Sequence, residues 1–408
     1  GTRRNNITGN VQLNYAFTKE LNLQLRATLD RSDEDRFQKR PFTAARLPTG
    51  SYRTQDIEVQ EVTGDFLLKY DKALNDDFKI TATAGGSMLR NHYYKDEKRA
   101  DGLVEPDVYN FENAAYDLVY VPDTNRFHIN SFYGLFSTSY KDFLYLDLTA
   151  RQDWSSTLAN PLRSNNVGFF YPSASLSFVA SEYFKLPELI DFAKLRLSAS
   201  QTGSSGTVPY RTAYAYPLAD NGTYPDSALR NPTTLPNPDL KPLKTITYEV
   251  GADIRLLGNR LGLDVAYYRG NTKNQILDRI VDRSSGYTRQ VINAGQIDNS
   301  GIELGLNATP LQTGNFRWKT FMTFSHNKNK IFSMANQDTT ILLRSSAVGG
   351  AQIVAKVGGS LGDMYGIGFE RSPDGQVVFD ANSGLAKLSN TPVYLGNTIP
   401  KYRGRIGS

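Results

Sequence analysis

From Leu21 to Asp30 the chain alternates without a break: Leu21, Leu23, Leu25, Ala27 and Leu29 fall on one side, Asn22, Gln24, Arg26, Thr28 and Asp30 on the other. A period of two sends successive side chains to opposite faces of an extended strand, and no helix is compatible with it. Just before it, Val11, Leu13, Tyr15 and Phe17 alternate with Gln12, Asn14 and Ala16, and Thr18-Lys19-Glu20 closes the two runs into a hairpin. The same unit recurs at 62–70 with 78–88, at 132–140 with 143–153, at 171–179 with 194–202, at 245–255 with 261–267, and at 302–308 with 316–324.

Two features of these repeats narrow the architecture. Strands of soluble domains usually run about 5 or 6 residues, whereas these approach the roughly 9 to 11 that a tilted strand needs to cross a bilayer. Their polar faces carry charges at mid-strand (Arg26, Asp147, Glu249, Asp253, Asp264). A dry sandwich core would not accept these, and a water-filled lumen would. Connections sort by length: short turns at 18–20, 71–77, 141–142, 257–260 and 310–315 alternate with long excursions at 31–61, 89–127, 203–243, 271–300 and 328–362. A barrel with one trimmed end and one decorated end explains that sorting, which propellers and sandwiches do not require. The expectation is an all-β, transmembrane, antiparallel up-and-down barrel with its apolar face on lipid. The connection at 181–193 is expected on the short-turn side, with a helical turn.

Composition agrees. Tyr (24) and Phe (21) are abundant among 408 residues while Met (4) and Trp (2) are scarce, a bias toward strand formers. No run of about 18 apolar residues occurs, which removes membrane-spanning helices and leaves barrels open. There is no Cys, hence no disulfide or thiolate metal site. The net charge of +5 is spread along the chain instead of striped, so nucleic-acid binding gains no support. The first residues, Gly1-Thr2-Arg3-Arg4-Asn5-Asn6, hold no apolar signal core, and the chain reads as a piece of a longer protein.

Catalytic chemistry finds little footing. His92, His128 and His326 are isolated from one another in sequence, Ser204-Ser205 between two glycines lacks a strand-to-helix elbow, and Ser372-Pro373-Asp374-Gly375 reads as a hairpin turn, not a calcium loop. No catalytic residue, metal or cofactor is expected. The basic residues Arg36, Lys39, Arg40, Arg46 and Arg53 could hold an anionic substrate or lipopolysaccharide, against the plainer alternative of a solvated loop.

One set of motifs is more specific. Asn237-Pro238-Asp239-Leu240-Lys241, then Glu249, Gly258-Asn259-Arg260-Leu261 and Asp264-Val265-Ala266-Tyr267-Tyr268 appear in that order. They are joined by Arg151-Gln152-Asp153-Trp154-Ser155-Ser156, Phe170-Tyr171-Pro172-Ser173, Leu195 to Gly203, Asn293-Ala294-Gly295, Asn299-Ser300-Gly301-Ile302-Glu303 and Leu395-Gly396-Asn397-Thr398-Ile399-Pro400. In this collinear order they resemble the barrel of SusC/RagA-type, TonB-dependent outer-membrane transporters. The resemblance implies a Gram-negative, Bacteroidota-like outer membrane and a barrel of about 22 strands, of which residues 1–408 are one part without the plug or the TonB box. It further implies import of a bulky nutrient, an oligosaccharide (glycan) or peptide, energised through TonB by way of an N-terminal region outside this chain. A SusD-like lipoprotein would be the partner, and outer-membrane lipid and lipopolysaccharide the surroundings. Substrate contacts are then expected from loop aromatics, namely Trp154, Tyr210, Tyr214, Tyr216 and Tyr224, with Tyr93 and Tyr94 behind them. The alternative for each is loop packing or, for Trp154, anchoring at the membrane interface. A siderophore-type receptor, a passive porin and a soluble carbohydrate-binding adhesin are the competing readings.

Overall fold

The computed structural model describes residues 1–45, 47–160, 167–217, 228–335, 339–345 and 350–408. The strands in chain order are β1 (Thr2–Ala16), β2 (Leu21–Arg40), β3 (Ser51–Ala73), β4 (Phe78–Ala100), β5 (Val119–Tyr120), β6 (Asp123–Tyr140) and β7 (Leu144–Ser155). Next come β8 (Gly168–Val179), helix α1 (Ala180–Tyr183), β9 (Ile190–Ser204), β10 (Thr234–Leu235), β11 (Leu243–Leu256), β12 (Leu261–Lys273), β13 (Ile276–Ile280) and β14 (Arg289–Asn293). The last are β15 (Gln296–Gln312), β16 (Arg317–Ser333), β17 (Thr340–Ser345), β18 (Gln352–Lys356), β19 (Asp363–Gly366), β20 (Val393–Asn397) and β21 (Tyr402–Gly407).

A 14-stranded antiparallel sheet carries the molecule, in the order β1-β2-β3-β4-β6-β7-β8-β9-β11-β12-β15-β16-β21, with β5 attached to β4. Neighbours in space are neighbours along the wall, as an up-and-down barrel demands, and the sheet is open at β1 and at β21. Two smaller sheets, β10-β14-β13 and β17-β18-β19-β20, lie within the long connections.

Register converts the alternation of single strands into two faces. Leu146 pairs Leu176, which pairs Leu197, then Val250, Tyr267 and Ile302, so one cross-strand row is apolar throughout. One residue along each strand, Ser137, Asp147, Ser175, Ser198, Glu249 and Tyr268 make the adjacent row on the opposite face. The apolar face is not covered by protein: Leu25 is 42% exposed, Leu197 52%, Tyr248 62% and Val250 46%. A sheet with so much continuous exposed apolar surface belongs against hydrocarbon. Buried apolar side chains gather instead among the long connections, in one cluster of Ile292, Ala294, Ile297, Ile331, Ile341 and Ala355 and another of Leu158, Leu240 and Val291.

The short turns are 17–20, 74–77, 141–143, 257–260 and 313–316, and α1 sits in the sixth connection at the same end, as expected for 181–193. Lys141 and Asp142 both adopt positive φ, the twist-matched geometry of a tight hairpin. Aromatic rings collect at this end: Phe78 against Tyr140 at 4.6 Å, Phe143 against Tyr140 at 5.4 Å and against Tyr183 at 4.8 Å. Such rings mark a membrane–water boundary.

At the other end the structure corrects the sequence reading. Much of 31–61 and 89–127 is not loop: β2 continues for 20 residues and β3 and β4 for 23 each, fully paired. The physical reason is visible in the row order. Above Leu29 the formerly apolar face of β2 becomes Arg31, Asp33 and Asp35, and that of β3 becomes Gln60, Glu58 and Asp56. On β2 both faces are polar there, and on β3 the apolar positions Ile57 and Val59 move to the other face, so the hydrophobic period of the band breaks off while the strands go on. The apolar band of β2, Leu21 to Leu29, spans nine residues; at about 3.3 Å per residue and a tilt near 40° this is roughly the 25 Å of a barrel's lipid band. The substitution Val250→Arg places a charge at mid-band and is expected to cost about 2–4 kcal/mol of folding stability in lipid vesicles by urea titration, whereas Ser198→Asn on the opposite face is expected to cost under 1 kcal/mol.

Candidate functional site

The polar face is a network of held charges, beginning near the short turns. Asp253 and Asp264 stand directly opposite each other on β11 and β12, a repulsive arrangement unless cations intervene. Arg196 reaches across from β9 to donate to Asp264 at 3.0 Å, and Arg255 lies 3.6 Å from Asp253. Gly251 lies beside the crossing, where a Cβ would sit 3.1 Å from the Arg196 guanidinium and press on it. Arg26 donates to Asp65 of the next strand at 2.9 Å, and Asp147 accepts from the Ser137 hydroxyl at 2.6 Å. Glu249 lies on the same face, between Ser198 and Tyr268. Arg151 donates to Asp153 at 2.8 Å and to the Ser131 hydroxyl at 2.9 Å, Tyr171 donates to Asp153, and the Arg151 guanidinium lies 5.4 Å from the Tyr133 ring centre.

Further from the turns, the extended ends of β1 to β4 carry a second network. Glu34 accepts from Arg4 of β1 at 3.0 Å and from Arg36 at 3.1 Å. The bonds from Arg36 and then Arg4 outweigh desolvation and bring its carboxyl down to about 2. Glu97 is buried and surrounded by Arg53 at 3.5 Å, Lys95 at 3.6 Å and Arg99 at 3.5 Å, with Gln55 donating at 2.6 Å. Burial raises its carboxyl pKa; the Gln55 bond and the cations override this and leave it below the ordinary carboxylate value. Arg40, Arg53, Arg99 and Asp101 line a cavity of about 370 Å³ beside it.

Of the basic residues singled out in sequence, Arg36 and Arg53 therefore hold carboxylates, Lys39 lies 5.2 Å from the Tyr109 ring centre, Arg40 lines the cavity, and Arg46 falls outside the described residues. The sequence reading missed Glu97, Lys95, Arg99 and Arg196. The first three were recoverable: Lys95, Glu97, Arg99 and Asp101 alternate in charge at every second position, one face of a strand. Arg196 was not, because its partner is 68 residues away.

The aromatic candidates are not brought together. Tyr210 accepts a hydrogen bond from the Arg126 backbone N–H at 3.2 Å, Tyr214 and Tyr216 are exposed further along the same connection, and Tyr224 falls outside the described residues. Trp154 shares a face with Leu146 and Leu148, and its ring meets Phe132 edge to face at 6.2 Å on the apolar side. Tyr93 faces the polar side and Tyr94 the other. His326 Nδ1 donates to the Lys401 carbonyl oxygen at 2.8 Å and its ring stacks on Tyr402, while Gly375 closes a turn onto Ser372 at 2.8 Å. No group of three or more His, Asp or Glu side chains suited to a metal occurs among the described residues.

Several motifs that carry the family resemblance are fastenings of the long connections. Lys241 and Asn293 exchange hydrogen bonds at 2.9 Å, Leu240 is 1% exposed between Val291 and Leu158, and Asn397 donates to Asp363 at 2.8 Å. Gly295 at φ +110 admits no side chain, since a Cβ would lie 2.2 Å from the Ser333 carbonyl oxygen.

The Glu34 carboxyl sets a pH dependence. Because its folded pKa lies near 2 against an ordinary 4.5, the stabilisation it provides is complete above about 4.5 and is lost as pH falls toward 2. Hydrogen exchange at the far ends of β1 and β2 is expected to be faster in Glu34→Gln than in the wild type from pH 5 to 8, with the difference vanishing as acid approaches pH 2.

A family model described as TonB dependent receptor-like, beta-barrel matches residues 1–399. TonB-dependent receptor P26 of Formosa agariphila is 27% identical over 400 residues, 94% of this chain and 39% of that protein. TonB-dependent receptor SusC of Bacteroides thetaiotaomicron is 24% identical over 353 residues, 82% of this chain and 34% of that protein. The chain thus spans well under half the length of these curated relatives. Among solved structures, the RagAB peptide transporter aligns with a TM-score of 0.82 at 17% identity, over 99% of this chain and 45% of that one. The siderophore receptor PiuA from Acinetobacter baumannii aligns at 0.53 and 15% identity, over 99% and 57%. These two likenesses are of fold alone. With its apolar outer band, ordered up-and-down strands and a family match over residues 1–399, the chain belongs to the TonB-dependent receptor β-barrel family of the outer membrane, short turns on the periplasmic side and long connections outside.

Proposed function

We propose that the chain forms part of the wall and outer vestibule of an importer for a bulky hydrophilic nutrient, an oligosaccharide or a peptide, driven through TonB. The observation that carries this is the polar face itself. Arg26, Asp147, Glu249, Asp253 and Asp264 share one side of a wall whose other side is lipid-facing, which makes them lumen-lining. With Asp253 and Asp264 held by Arg255 and Arg196, and Arg26 by Asp65, this lining offers fixed dipoles and hydroxyls to a hydrated solute more than free charge. The plug and the TonB-contacting segment belong, on this reading, to the remainder of the receptor.

A SusD-like lipoprotein is proposed to close over the extracellular end. Supporting this are the relative named SusC and the far better overlap with the RagAB peptide transporter than with the siderophore receptor. Tyr210, Tyr214 and Tyr216, on one exterior connection, are proposed to stack on substrate rings. Trp154 is proposed as an interface anchor, since its ring lies on the lipid side.

The test is uptake by cells carrying the full receptor. Import of a labelled oligosaccharide or peptide library is expected to stop when TonB is deleted; import that persists identifies a passive pore and removes the active reading. A lipoprotein is expected to co-purify in a 1:1 ratio, and a receptor isolated repeatedly without one removes the partner. Replacing Tyr210, Tyr214 and Tyr216 together by Ala is expected to weaken binding of the transported solute by roughly tenfold or more, at about 0.5–1.5 kcal/mol per ring.

A further inference from the structure

The lipid-facing surface carries a feature that import does not use. On the outward face of β3, β4 and β6, where the apolar band ends on the exterior side, Arg90 stands directly opposite His128, and His92 directly opposite Arg126. Cross-strand partners of this kind hold their Cβ atoms about 4.5–5.5 Å apart, with diagonal neighbours at about 7–8 Å, so two guanidinium groups and two imidazoles share one small patch. They line a groove of about 620 Å³ together with Gln60, Val62, Met88 and Asn130.

The patch is not neutralised from within. Among the described residues neither arginine has a carboxylate partner, and Nε2 of His92 is buried without a hydrogen-bond partner. Asp33 and Glu58, the acids of this face nearest the patch on β2 and β3, are both held by Arg31, at 3.0 and 3.3 Å. Farther out, Asp35, Asp56 and Asp96 form a row of facing carboxylates, with Arg3 opposite Asp35.

Directly below lies an apolar groove of about 730 Å³ that shares Met88 and Asn130 with the basic one. Its walls include Leu13, Leu25, Phe66, Met88 and Phe132. Its floor is open because Ala27 and Gly64 present so little side chain, while the rings of Phe66 and Phe132 lean toward Gly86. An anion site stacked on an apolar channel, at the outer boundary of the band, matches an amphiphile with a negative head and acyl tails.

We propose that this is a binding site for a phosphorylated glycolipid of the outer leaflet, of the lipopolysaccharide type, its phosphate held by Arg90, Arg126, His92 and His128 and an acyl chain in the groove beneath. Arginine suits the planar, multidentate recognition of phosphate, and imidazole N–H groups complete it. A zwitterionic lipid would bring an ammonium group of its own beside the two guanidinium groups, and free phosphate would leave the apolar groove unused.

The full receptor, extracted from its outer membrane in mild detergent, is analysed for bound phosphorylated glycolipid by mass spectrometry. Arg90→Gln with Arg126→Gln is expected to reduce the bound glycolipid roughly tenfold or more, while the lipoprotein partner and TonB-dependent uptake persist; unchanged glycolipid overturns the proposal. Delipidated wild-type receptor provides a second measurement that needs no variant. Its melting temperature is expected to rise in phosphatidylcholine vesicles containing lipid A and not in phosphatidylcholine alone or with inorganic phosphate added. An equal rise with inorganic phosphate means a simple anion site, and an equal rise with phosphatidylcholine alone means a non-specific apolar surface; either result overturns the glycolipid assignment.

Discussion

Hydrocarbon offers no partner to a peptide N–H or C=O, and each such group left unpaired there costs several kcal/mol. Every other property of this wall follows from meeting that constraint with strands. Each strand that crosses the band is hydrogen-bonded to a neighbour along its length, in strict chain order from β1 to β21. Once the backbone is satisfied that way, side chains are free to differ by face, and Leu146, Leu176, Leu197 and Val250 can sit in lipid one residue away from Asp147, Ser175, Ser198 and Glu249.

The same ladder explains why the exterior half of the molecule is ordered by different forces. Beyond the band, water is available on both sides, so β2, β3 and β4 gain nothing from an apolar face and carry charges on both. Pairing there is reinforced by cross-strand ion pairs such as Arg4 with Glu34 and Arg53 with Glu97. Apolar burial returns where the long connections fold over one another, in the clusters around Ile292 and Leu240 and at Leu103. The protein thus has an apolar surface in the membrane and an apolar core outside it, an inversion of the soluble pattern imposed by the solvent at each level.

The strands within the band were legible because one face is apolar and the other is not; residues 21–30 and 245–255 announce themselves. The extensions were not, because a strand polar on both faces has no period in hydrophobicity, and 31–61 reads as loop although Arg31 to Arg40 and Ser51 to Gln60 lie in the ladder. Charge alternation at Lys95, Glu97, Arg99 and Asp101 was the remaining signal. Trp154 shows the limit of residue type as a guide: an aromatic at a strand end suits a substrate platform and a membrane anchor equally, and parity along β7 decides which side it faces.

By itself the sequence determined the class of wall, its two faces, the alternation of short and long connections and the resemblance to its family, because each of these is written in spacing along one chain. Tertiary structure decided which charges meet. The bond from Arg196 to Asp264 across Gly251, the enclosure of Glu97, and the basic patch of Arg90, His92, Arg126 and His128 above an apolar groove all depend on register between strands tens of residues apart. Register is a property of pairs of strands: a slip of one residue would exchange the two faces of a strand and leave the sequence unchanged.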